Sequence, residues 1–85
     1  MSSELARRAY AEYARSVEVV IAEQSQDPDR IERLLDGLFD FCFDQGILSL
    51  YRKLCRYYFT LDPGSAVKYV NFYRDMWDSH WAEDE

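Results

Sequence analysis

Apolar residues recur along this chain with the period of an α-helix in four successive stretches, and turn signals separate them. The first stretch predicts a helix over about 3–24, with Ser3 as N-cap and Glu4 at the positive end of the helix dipole. Ala6, Tyr10, Tyr13, Val17, Val20 and Ile21 share one face of it; Glu4, Arg8, Glu12 and Arg15 share the other. A second start follows at Gln26-Asp27-Pro28-Asp29, where Asp27 is the natural N-cap and Pro28 sits in the first turn. That helix is expected over about 28–44, with Gly46 as a left-handed cap. Phe39-Asp40-Phe41-Cys42-Phe43-Asp44 nearly alternates, as a strand would. The wheel decides for helix. Ile31, Leu34, Leu35, Leu38, Phe39, Phe41, Cys42 and Phe43 fall on one side, while Asp29, Asp36, Asp40, Asp44 and Gly37 fall on the other.

The third helix, about 48–60, turns Leu50, Tyr51, Leu54, Cys55 and Tyr58 inward, and Arg52, Lys53 and Arg56 outward. Leu61-Asp62-Pro63-Gly64 then stops the chain and restarts it, with Asp62 or Ser65 as cap, for a last helix over about 65–81 and a frayed acidic tail at 82–85. Connections this short make neighbouring helices antiparallel. The expectation is an all-α, compact antiparallel bundle of four helices in a single domain, 1–85.

Leu38, Gln45-Gly46 and Leu61-Asp62-Pro63 sit where a tetratricopeptide unit has a leucine, a turn glycine and its closing residues, so the stretch resembles that family in places. The resemblance covers under a third of the chain and implies a hairpin of the second and third helices. Phe39, Tyr51 and Tyr58 depart from it, standing where the family has small residues.

Composition narrows the functions open to such a bundle. Sixteen Asp and Glu against ten Lys and Arg give a net charge of −6, which argues against direct nucleic-acid binding. No stretch reaches membrane-span length, and no apolar segment of a signal peptide follows the charged start. Two distant cysteines, Cys42 and Cys55, are too few for a disulfide scaffold, so a cytoplasmic protein with reduced thiols is expected. They face the core, where packing is their role, although a bridge across the hairpin is geometrically open to them.

Chemistry finds little to work with. His80 is the only histidine and neither cysteine has a second at ligand spacing, so no metal or other cofactor is implied. Nucleophilic catalysis would need a base beside a serine or an exposed thiol, and none is evident. Glycine-rich phosphate loops are absent; no enzyme is read here. Tyr51-Arg52-Lys53-Leu54-Cys55-Arg56-Tyr57-Tyr58 interleaves rings and cations, but helical phase leaves only Tyr57 exposed for stacking.

Two surfaces remain. Asp36, Asp40 and Asp44 form an i, i+4, i+8 carboxylate stripe. It reads as a solvated face paired with Arg52, Lys53 and Arg56, as a docking site for a basic partner, or as mimicry of a phosphate row. The other is aromatic: seven Tyr, five Phe and two Trp are a heavy load for one small core. In the last helix Ala66, Val70, Tyr73 and Trp77 centre the apolar face, Tyr69, Phe72 and Met76 extend it on one flank, and Val67 and Trp81 on the other. Either these rings fill and edge the core, or they anchor an interface. The expected function is a non-catalytic protein-interaction or regulatory module. Its partner-binding residues would be Tyr69, Phe72, Met76 and Trp81 with an acidic rim, and its partner another protein, with a homodimer the simplest case. The second reading is an acidic inhibitor, immunity-type protein or nucleic-acid mimic that blocks a basic surface through Asp36, Asp40 and Asp44.

Overall fold

A computed structural model describes residues 2–77, which form four helices and no strand: α1 Ser2–Ala22, α2 Pro28–Phe39, α3 Gln45–Leu61 and α4 Pro63–Trp77. The chain is an all-α bundle. Asp27 caps α2 as its sequence predicts, accepting a bond from the Asp29 amide at 3.0 Å, with Pro28 at the first helical position. At the other end of that connection α1 stops at Ala22, two residues earlier than its apolar period suggests. Gln24 takes a left-handed φ of 54°. The Ser25 amide then donates to the Val20 carbonyl and the Gln24 amide to Ile21, closing a Schellman turn.

The largest departure from expectation lies between the second and third helices. A helix over 28–44 does not form: α2 ends at Phe39, with Asp40 as its C-cap. The amides of Phe41, Cys42 and Asp44 each reach back three residues, to Leu38, Phe39 and Phe41, so residues 40–43 make tight turns. Asp44 is the reason the break is stable. Its carboxylate accepts from the Ile47 amide at 3.0 Å and caps α3, which starts three residues earlier than expected. Gly46 therefore lies inside the first turn of α3 and has no left-handed φ. It serves close packing instead, since a methyl group there would stand 3.1 Å from the ring of Tyr10 on α1. Gly37 is likewise half-buried rather than solvent-facing, and a methyl group on it would collide with the Tyr13 ring. Asp62 is the cap of α4, which starts at Pro63; the Ser65 amide donates to its carboxylate at 3.2 Å.

The helices run up and down. Tyr13 meets Gly37, Tyr58 bonds Glu32, and the Tyr51 ring lies 6.2 Å from that of Tyr73, which sets each helix antiparallel to the next. α3 touches all three others and supplies more of the core than any other helix: Ile47, Leu50, Tyr51, Leu54, Cys55 and Tyr58 are buried with Val17, Val20, Ile31, Leu35, Leu38, Cys42 and Ala66. The inward face predicted for this helix is the buried one. The bundle is a slab, with Cα extents of 40 × 33 × 15 Å and a radius of gyration of 13.1 Å, against about 12 Å for a compact chain of this length. A slab has little interior relative to its faces. No helix among the described residues is long and apolar enough to cross a membrane.

Candidate functional site

The tyrosines hold the slab together before any is left for a partner. Tyr58 is buried, and its hydroxyl donates to the Glu32 carboxylate at 2.6 Å, tying α3 to α2. Burial first, and that carboxylate second, push the phenol up to about 12. Tyr51 donates to the Tyr69 carbonyl at 2.6 Å, and burial holds its phenol far above the usual value, with the nearby Cys55 and Cys42 thiols adding to the effect. Tyr57 is not free for stacking, because its hydroxyl donates to the Ser25 carbonyl at 2.7 Å. Trp77 closes the far end of the slab, donating to the Phe39 carbonyl at 3.2 Å with its ring edge-on to Phe39.

Among the apolar residues left outside this framework are those on one flank of α4. Phe72 is 51% exposed and Met76 60%, one helical turn apart and therefore neighbours on the surface. Tyr69 is half-buried beside them, its ring edge-on to Phe72 with centroids 5.4 Å apart. Its hydroxyl donates to Asp36 on α2 at 3.0 Å, and its own pKa is raised, by burial first and then by that carboxylate. Asp75, three residues beyond Phe72, is exposed on the opposite edge. The result is an apolar strip of three side chains with a carboxylate on either side. Trp81 and His80 lie outside the described residues, as does the predicted end of this helix.

The three aspartates of the expected stripe do not lie on one continuous helix. Asp36 belongs to the aromatic flank through Tyr69; Asp40 terminates α2 and Asp44 begins α3. The expected pairing of that face with Arg52, Lys53 and Arg56 is also missing, since the salt bridges among the described residues are Arg7–Glu4 at 3.7 Å and Arg30–Glu23 at 3.0 Å. The row that α2 presents is instead Asp29, Glu32 and Asp36, which with Arg33 line a shallow depression. Spacings of three and four, rather than a uniform four, are the signal that would have found it. Glu32 and Asp36 both spend an oxygen on a tyrosine, so this row is part of the joint between helices.

The site offers no reactive group. Cys42 and Cys55 are free and buried, and burial pushes their thiols up to about 12 and about 11, so neither presents thiolate at neutral pH. Cys42 donates to the Leu38 carbonyl. Among the described residues no three His, Cys, Asp or Glu side chains are grouped to hold a metal ion. Further exposed rings lie outside this flank: Phe43 at 57%, Phe59 at 52% and Tyr10 at 42%. Comparison with protein-family models, curated proteins and solved structures returns nothing that matches this chain.

Proposed function

We propose that this chain is a non-catalytic protein-interaction module that works through the flank of α4 carrying Tyr69, Phe72 and Met76, and that its simplest partner is a second copy of itself. The observation that carries the reading is the exposure of Phe72 and Met76 as neighbours on a helix that packs on α3 through other residues. Covering two such half-exposed side chains is worth roughly 1 kcal/mol each. A twofold contact uses that gain twice, because the same patch meets itself.

The acidic edges give this reading a signature. In a twofold contact Asp36 and Asp75 of the two copies come near one another, so added salt screens repulsion and strengthens association. A basic partner docked on the same flank would be released by salt instead. Amide spectra recorded over a dilution series test the proposal: signals of residues 69–77 shift with concentration, and more so in high salt. Spectra that do not change on dilution would remove self-association, and salt-weakened association would replace the second copy with a basic partner. The acidic-blocker reading draws no support from Asp44, whose carboxylate is occupied as the cap of α3.

A further inference from the structure

The opposite side of α4 carries a second surface of different character. Between α3 and α4 runs an open groove of about 460 Å³ lined by Leu48, Cys55, Ala66 and Val70 with the rings of Tyr51 and Tyr73, and with an exposed ring, Phe59. Its size falls among clefts that take ligand side chains. The rim is made by Arg52, Arg56 and Arg74. Each of the three is exposed and makes no salt bridge among the described residues. A chain of net charge −6 has carboxylates to spare, yet none lines this groove, nor the depression beside it formed by Gln45, Leu48, Ser49, Arg52 and Arg56.

We propose that this groove binds an amphipathic helix of another protein whose apolar residues enter between α3 and α4 and whose carboxylates pair with Arg52, Arg56 and Arg74. Charge complementarity identifies the occupant. Arg52 and Arg56 are one turn apart on α3, about 6 Å along its axis, which is the spacing of carboxylates at i and i+4 on a docked helix. Arg74 faces them from the other wall, so a helix lying in the groove is clamped by cations on both edges. The lining between the arginines is apolar, aliphatic side chains beside the rings of Tyr51, Tyr73 and Phe59, which suits leucine-sized anchors at i, i+3 and i+4. The site is independent of the flank formed by Tyr69, Phe72 and Met76, because it occupies the other side of the same helix.

The test uses the full chain and a fluorescein-labelled helical peptide with leucines at i and i+4 flanked by glutamates, beside a matched peptide with lysines in place of the glutamates. Anisotropy titration is expected to show binding of the glutamate peptide and not of the lysine peptide. Arg52→Glu with Arg56→Glu lowers affinity for the glutamate peptide by about tenfold or more and lets the lysine peptide bind. Val70→Asp, at a position 39% exposed and so tolerant of change, abolishes binding without altering the circular-dichroism melt. Phe72→Ser with Met76→Ser leaves peptide binding intact, which separates this site from the self-association surface. Failure of the glutamate peptide to bind, or equal binding of both peptides, overturns the proposal. So does a labelled single-stranded oligonucleotide that binds and is lost in the same arginine variants, since that outcome makes the groove a phosphate site.

Discussion

Gln24 stands in a left-handed conformation that costs a side-chain-bearing residue about 1–2 kcal/mol and a glycine nothing. Gln24→Gly is therefore expected to stabilise the fold by about 1 kcal/mol in urea titration, although glycine is the poorer residue almost anywhere else in a helical protein. A destabilised variant would mean that the Gln24 side chain contributes something the geometry does not show. The aspartates separate in the same way. Asp44 caps α3 through the Ile47 amide, so Asp44→Ala should cost about 1 kcal/mol. Asp40, an exposed residue at the end of α2, should cost less than about 0.5 kcal/mol when changed to alanine. Equal losses at both positions would restore the picture of a continuous acidic face.

The helices themselves were legible because their apolar faces repeat over several turns and because Asp27-Pro28 and Asp62-Pro63 are unambiguous starts. The boundary after Phe39 was not. Phe41 and Cys42 pack inward from a turn as they would from a helix, so apolar phase alone could not reveal the break. Gly37 and Gly46 misled for a related reason. Their value lies in what packs on them, the Tyr13 and Tyr10 rings of α1, and a neighbour in space leaves no trace in local sequence. This seat can be tested. An alanine in a helix interior normally gains about 1 kcal/mol over glycine. Gly37→Ala should show no such gain, because the new methyl displaces Tyr13, and the gain should return when Gly37→Ala is made in a Tyr13→Ala background. A full gain in the single variant would show that the ring swings aside at no cost and that α1 does not depend on it.

In the assembled slab, the aromatic excess divides into two uses that composition could not tell apart. Tyr51, Tyr57, Tyr58 and Trp77 bind helices to one another, whereas Phe72 and Met76 are left outside with Tyr69 at the boundary, and Phe43 and Phe59 are exposed elsewhere. The sequence marked Tyr69, Phe72 and Met76 by helical phase. It could not mark the groove, which depends on how α3 and α4 are spaced. The internal use predicts a response to alkali. Cys42, Cys55, Tyr51, Tyr58 and Tyr69 all hold their protons more tightly when folded than the ordinary 9.0 of a thiol or 10.0 of a phenol. Above pH 9.0 the unfolded chain releases protons that the folded chain keeps, so stability falls as pH rises. The contribution of these groups is complete below that pH and is lost as pH climbs through about 11 and 12, the folded values of Cys55 and Tyr58. Urea midpoints that stay level from pH 8.0 to the ordinary phenol value of 10.0 would contradict the burial of these groups. The external use is tested most directly by sedimentation equilibrium in high salt, on the parent chain and on Phe72→Ser with Met76→Ser. The parent is expected at twice its 10.1 kDa and the double variant at 10.1 kDa. A parent chain that sediments at 10.1 kDa at every concentration, or a variant that associates as the parent does, would contradict the assignment of this flank as the surface through which the protein works.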